Sequence, residues 1–305
     1  MESILATLAA RVPDYCPENL NEDHPIIFIM GCARSGTTLV SQYLARSREF
    51  CYPTNFISRF YYAPYIGALL QRLMFDLDTK GELFGSFKEA VDFKSVLGKT
   101  KAASSPNEFW YYWRRFFKFG EIQKLDDTEL SKVDAKAFVS GLRSIQTVFD
   151  KPIFLKGMIA NWHIPYLAKR IPNSYFIIVK RDLLFNAQSL YVARSEYFDD
   201  VERWYSFKPV EYPILKGKTP LEQVVGQVKY TNDAIDRGIR SLSDERVITV
   251  QYEEFCDRQS QFVEQLNRKC SLQVKDMKLS FPNANIQKLN RDDWGTLYEV
   301  VKRYS

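Results

Sequence analysis

The chain has 305 residues, 46% of them hydrophobic and 26% charged, with a net charge of +5. That length and balance describe a globular protein with a substantial core and exclude a fibrous or disordered chain. The mild, scattered basicity is too weak to argue for nucleic acid, and it suits a pocket for a small polyanion.

The first residues, MESILATLAARVPDY, read as a short amphipathic helix within a lead-in over 1–24. Glu2 stands where a secretion signal wants positive charge, and Arg11 ends the apolar run. No window approaches 18 uninterrupted apolar residues, so no membrane-spanning helix is expected. Ile26 to Met30 is then a continuous apolar run ended by Gly31, the pattern of a parallel strand buried on both faces. Thr37 to Arg46 carries helical spacing through Leu39, Tyr43 and Leu44. The stretch 81–150 lacks a buried strand and holds the aromatic segment FWYYWRRFFKFG, Phe109 to Gly120, so it reads as a helical insertion and a candidate lid over an acceptor.

Beyond the insertion, three more buried strands are predicted, Pro152 to Lys156, Tyr175 to Val179 and Arg246 to Gln251. Helical patterns follow them over Tyr166 to Arg170, Leu184 to Phe198 and Gln259 to Arg268. Ser206 to Pro220, rich in Pro, Lys and Gly, reads as a loop. Strands alternating with helices imply one α/β domain over 1–305, a parallel β-sheet flanked by helices.

Five scattered cysteines (Cys16, Cys32, Cys51, Cys256, Cys270) form no C-x-x-C pair, and His24 and His163 are the only histidines. That spacing assembles no metal site, and the expected compartment is cytoplasmic.

The most informative stretch is GCARSGTT, residues 31–38, directly after the first strand. A glycine-bounded turn between a strand and a helix aims backbone N–H groups at one spot, where the helix dipole also favours an anion. Ser35, Thr37 and Thr38 add hydroxyls, and Arg34 adds a fixed charge. The NTPase form of this loop is G-x-x-x-x-G-K-[ST], and Thr37 stands in the lysine position. The constellation therefore suits a single phosphate better than a magnesium-bound triphosphate.

GCARSGTTLVSQYL resembles the 5′-phosphosulfate loop of sulfotransferases that use 3′-phosphoadenosine 5′-phosphosulfate (PAPS). The family's K/R-S-G-T-T matches Arg34, Ser35, Gly36, Thr37 and Thr38 in order. YFIIVKRDLLFNAQSLYVAR, Tyr175 to Arg194, is similar to the family's 3′-phosphate motif, with Arg181 at a strand end and Ser189 eight residues on. A guanidinium there can offer a fork to a phosphate dianion. VITVQYEEF resembles a further strand end of the family. NIQKLNRDDWG sits where relatives carry a basic loop over the nucleotide, which makes Lys288 and Arg291 candidates. The resemblance runs from about Pro25 to Trp294 and implies a P-loop-containing sulfotransferase-like fold, a PAPS donor, no metal, and a small-molecule, lipid or carbohydrate acceptor.

The departures concern the base. Where soluble relatives carry a histidine, in a V-K-T-H-type strand end, this chain reads FLKGMIANWH, with Met158 near the expected place and His163 five residues later. Where other relatives carry a glutamate soon after the loop, CYPTNFISRFYYAP holds no carboxylate. Three candidates follow: Glu108 among aromatics, open also to an ion pair with Arg114 or Arg115; His163, open also to a core or capping role; and Glu196 on the helix after Arg181. Arg34 is then placed to stabilise charge on the leaving phosphate. An atypical P-loop kinase or NTPase, and a non-catalytic PAPS-binding protein, stay open as alternatives.

Overall fold

The computed structural model describes residues 2–11, 23–78, 82 and 91–304. Residues 12–22 of the lead-in, with Cys16, residues 79–80, and residues 81 and 83–90 of the insertion lie outside the described residues. Four strands form one parallel sheet in the order β2-β1-β3-β4: β1 (Ile26–Gly31), β2 (Ile153–Lys156), β3 (Ser174–Lys180) and β4 (Val247–Gln251). β1 is an apolar run buried throughout, because it lies at the sheet's centre with helices over both faces, whereas edge strand β4 leaves Thr249 exposed. Ile26 through Met30 are all fully buried.

Alternation along the strands sorts the core into two layers. Ile27, Ile29, Phe154, Ile177 and Val179 pack on Val40 and Leu44 of the Thr37–Ser47 helix and on Phe262 and Leu266 of the Ser260–Cys270 helix. Phe28, Met30, Leu155, Phe176 and Ile178 face the larger layer, with Leu142 of Ala135–Phe149, Leu167 of Ile164–Arg170 and Val224 of Pro220–Ile239. Much of the aromatic segment belongs to that layer: Phe109, Tyr112, Trp113 and Phe117 are buried beside Phe138. Its high aromatic content is mainly core.

The four strands, and the helices expected from Thr37, Tyr166, Leu184 and Gln259, fall within two residues of their expected bounds. The largest difference is the Pro220–Ile239 helix of 20 residues, which the sequence reading did not assign. Its signal was present: Thr219 caps the helix, Glu222 completes a reciprocal capping box, and Pro220 sits in the first turn. The Ser206 to Pro220 loop also contains a short helical turn, Tyr212–Leu215. Within the described part of the insertion, three helices occur, Trp110–Phe116, Asp127–Ser131 and Ala135–Phe149, preceded by a tight hairpin bridged between Val96 and Lys99.

Sheet order explains how distant motifs meet. From central β1 the chain goes to β2 on one side and then to β3 on the other, which leaves a crevice at the strands' carboxyl ends. Gly31 pairs with Val179, so the segments after β1 and β3 emerge side by side. On the other flank β2 stops at Lys156, opposite Ile29. Asn161 takes over: its Oδ1 accepts from the Gly31 N–H at 3.2 Å and its Nδ2 donates to the Gly31 carbonyl at 2.9 Å. Asn161 is fully buried, so Asn161→Ala leaves both backbone groups without partners. We expect a loss of about 2–4 kcal/mol in urea unfolding, from two unsatisfied buried groups.

Candidate active site

The loop after β1 turns through Arg34 at φ 68° and Gly36 at φ 103°, both in the left-handed region. Gly36 is required twice over, because a Cβ there would stand 2.5 Å from the Tyr252 ring. Two loop carbonyls are drawn back into the protein. Asn186 Nδ2 donates to Ala33 O at 2.8 Å, and Arg181 Nη1 donates to Arg34 O at 3.0 Å. The Thr37–Ser47 helix then starts with no side-chain cap on its first N–H groups. Ser35 Oγ, 1% exposed, has no hydrogen-bond partner among the described residues. An uncapped helix start beside such a hydroxyl has the donors that one anion would need.

Arg181 is buried, and Asp182 caps its own helix by accepting from the Phe185 N–H at 3.1 Å. Arg181 Nε donates to Asn285 Oδ1 at 2.7 Å and its Nη2 to Ala284 O at 3.2 Å, while its guanidinium lies 4.7 Å over the Tyr252 ring. Burial lowers its pKa from the ordinary value, and an arginine stays charged regardless. Glu253, from the YEEF segment, accepts from the Asp182 N–H at 3.0 Å and from Asn285 Nδ2 at 2.6 Å, which steadies the strand end. Ser189 lies two turns along the Leu183–Phe198 helix and accepts from Arg34 Nε at 3.2 Å. Arg34, Arg181 and Ser189 thus form one cluster from segments about 150 residues apart.

A cavity of about 580 Å³ opens beside this cluster. Arg34, Gly36, Thr37, Thr38 and Arg181 line one side, with Tyr252 and Ala284. Glu108, Trp110, Lys156 and Met158 line another. Lys156, 4% exposed, reaches both halves: its Nζ lies 2.6 Å from Glu108 Oε1 and donates to Thr38 Oγ1 at 2.9 Å. Trp110 Nε1 donates to the other oxygen of Glu108. The carboxylate's ion pair is with Lys156, not with the arginines weighed from sequence. Arg114 lies over the Trp110 ring and Arg115 donates to Tyr62 O. Lys156 was missed as a site residue, although a charge at the tip of a buried apolar strand was its signal. Thr37 Oγ1 donates to Met158 Sδ at 3.2 Å, which puts the methionine against the loop after β1. The tip of the 96–99 hairpin crosses the cavity, its Gly98 O accepting from Thr38 Oγ1 at 3.4 Å and its Leu97 O from Tyr205 OH at 3.2 Å.

The remaining candidates are not brought to this cavity. His163 is 2% exposed and stacks near Phe119; its Nε2 accepts from the Leu125 N–H at 3.1 Å and lies 3.0 Å from Gln123 O. Glu196 is exposed on the helix, one residue before Tyr197, which does line the cavity. Lys288 is exposed; its backbone N–H donates to Gln188 Oε1 at 2.7 Å, and Phe281, Pro282 and Ala284 of that segment line the cavity instead. Arg291 begins the final helix and is exposed.

Burial lowers the His163 pKa, with Lys124 adding to the effect against the Gln123 carbonyl and Glu129. A folded value below the unfolded one, near 6.5, means that its stability contribution is full above that pH and is lost as pH falls below it. Thermal melts from about pH 7 to about pH 5 should therefore show a smaller stability loss in His163→Gln than in wild type.

A second cavity of about 440 Å³, bounded by Arg46, Cys51, Tyr52 and Phe75, lies toward the amino-terminal end of β2 and contains none of these residues. Among the described residues no group of three or more His, Cys, Asp or Glu could hold a metal ion, and no helix is long and apolar enough to cross a membrane.

Comparison with known proteins agrees with this architecture. The fold is similar to that of sulfotransferase STF1 from Mycobacterium tuberculosis H37Rv, with a TM-score of 0.55 at 12% identity over 99% of this chain and 81% of that one. It is similar also to sulfotransferase STF9 from Mycobacterium avium, with a TM-score of 0.54 at 16% identity over 97% of this chain and 72% of that one. No curated protein matches the sequence. A family model described as the sulfotransferase family matches residues 25–276, which holds all four strands, the Arg34-to-Thr38 loop, Glu108, Lys156, Arg181 and Ser189, and the chain belongs to that family.

Proposed function

We propose that the protein transfers a sulfuryl group from PAPS to a hydroxyl or amine of a small acceptor, with Glu108 as the base. The observation that carries this reading is the single cavity in which Lys156 links the Thr38 end of the anion loop to the Glu108 carboxylate. The residues fit the donor: Ser35 Oγ and the uncapped helix start are available to a 5′-phosphate, and Ser189 and the spare N–H groups of Arg181 to a 3′-phosphate.

The bound donor supplies an activated sulfuryl group carried on a phosphate leaving group. Arg34 and the helix N-terminus oppose the negative charge that grows on that phosphate. Lys156 neutralises charge between the loop and the acceptor side. Glu108 takes the acceptor proton on a carboxylate oxygen, each of which keeps a lone pair beyond its bonds to Lys156 and Trp110. Trp110 and Lys156 fix that carboxylate toward the cavity, which is the orientation a general base needs. His163 has no part in this scheme, since its ring is committed to the 123–125 backbone.

The test is incubation of the purified protein with PAPS and a small-molecule extract, followed by mass spectrometry for products gaining SO₃. Sulfated products that require the protein support the reading. Transfer from magnesium-ATP, with PAPS untouched, would replace it with a kinase.

A further inference from the structure

We propose that Arg194, which touches neither the anion loop nor the cavity, is the positioning residue that holds the acceptor-side wall and, through it, the Glu108 carboxylate. Arg194 is fully buried, and burying a guanidinium is expensive unless all its donors are used. Two of its nitrogens, Nε and Nη2, have no hydrogen-bond partner among the described residues. Burial pushes its pKa down to about 10, so it remains charged at neutral pH. A group kept at that cost calls for a reason beyond packing.

The reason is the segment between Phe198 and Tyr212, which has neither helix nor strand over 199–211 and relies on side chains to fix its backbone. Arg194 Nη1 donates to Val201 O at 3.1 Å and to Gln223 Oε1 at 2.7 Å, and its guanidinium lies 5.0 Å over the Trp204 ring. Trp204 Nε1 donates to Phe207 O at 3.2 Å. Gln227 Nε2 donates to both Tyr205 O at 2.9 Å and Phe207 O at 2.8 Å. Between them Ser206 is held at φ 69°, a left-handed conformation that needs support from its surroundings. The result is that Tyr205, Ser206 and Phe207 all face the cavity.

From there the chain of contacts reaches the carboxylate. Phe207 stacks on Trp110 with ring centroids 5.0 Å apart and planes 16° from parallel, and Trp110 Nε1 donates to Glu108. Tyr205 OH donates to Leu97 O in the hairpin over the cavity. Arg194 therefore sits one step behind both the wall and the roof. The assignment rests on the functional reading above only in calling Glu108 the base.

The experiment compares wild type, Arg194→Met and Arg194→Lys by three readouts. The first is acrylamide quenching of Trp110, taken as the difference from a Trp110→Phe background. The second is binding of 3′-phosphoadenosine 5′-phosphate, and the third is its release from PAPS with the extract. In Arg194→Met, Trp110 quenching should rise severalfold and turnover should fall roughly 10- to 100-fold, as for a misplaced catalytic group. Nucleotide affinity should not change, and Arg194→Lys should restore most of the turnover. If Arg194→Met does not fold, Gln223→Leu removes the side-chain acceptor of the clamp and carries the same test. Lower melting temperature with Trp110 as shielded as in wild type would overturn the proposal. Failure of the wild type to bind the nucleotide would instead sink the donor reading and leave the quenching result to stand.

Discussion

Arg34→Ala should lower turnover by about 100- to 1000-fold, equivalent to about 3–4 kcal/mol of transition-state stabilisation from one positioned cationic donor. The readout is release of 3′-phosphoadenosine 5′-phosphate from PAPS with the acceptor extract. Folding should hardly suffer. The side chain's hydrogen bond to Ser189 contributes about 0.5–1.5 kcal/mol, and alanine inherits the same left-handed backbone that arginine already tolerates. Arg34 O, which anchors Arg181, is a main-chain atom and survives the substitution. A variant that unfolds in parallel with its loss of activity would show that the guanidinium is structural.

Glu108→Gln should cost about 100- to 10,000-fold in turnover, the usual contribution of a general base. Binding of the desulfated nucleotide should stay as in wild type, because Lys156 stands between Glu108 and Thr38 of the loop. Stability should fall as well. Lys156 is 4% exposed and would lose its counter-ion. Breaking a buried pair costs about 3–5 kcal/mol, and the 29% exposure of Glu108 brings the expected loss to about 1–3 kcal/mol. Combining Glu108→Gln with Lys156→Met should recover stability without recovering activity. That double variant separates the chemistry from the ion pair. Full activity in Glu108→Gln would remove Glu108 as the base and leave the proton to another group.

The parallel α/β sheet was legible because its strands are short and mainly apolar, and the turn after β1 because its glycines, hydroxyls and arginine stand in a fixed local order. The Pro220–Ile239 helix was missed because the Pro- and Lys-rich stretch before it drew the reading toward a loop, although T-P-L-E at its start is a capping box. The pairing of Glu108 with Lys156 could not be read. The two residues are 48 apart in sequence, and only the sheet register places the tip of β2 beside the Thr38 hydroxyl. The opposite error concerned His163. An imidazole near a strand end looks catalytic in sequence, but two backbone groups from 123 and 125 enclose it. Lys288 likewise followed from a basic segment, while the cavity is lined by its less polar neighbours Phe281, Pro282 and Ala284.

The central claim is that the Arg34, Arg181 and Ser189 cluster holds a nucleotide bearing both a 5′- and a 3′-phosphate. Calorimetric titration with 3′-phosphoadenosine 5′-phosphate, without metal, tests it most directly, with 5′-AMP and magnesium-ATP run beside it. Arg181→Ala is the companion variant, with a thermal melt to confirm that it folds. The account predicts tight binding of the bisphosphate, much weaker binding of 5′-AMP, and a loss of about 10- to 100-fold in Arg181→Ala for one charge-assisted contact. Tighter binding of magnesium-ATP than of the bisphosphate, indifferent to Arg181, would contradict it.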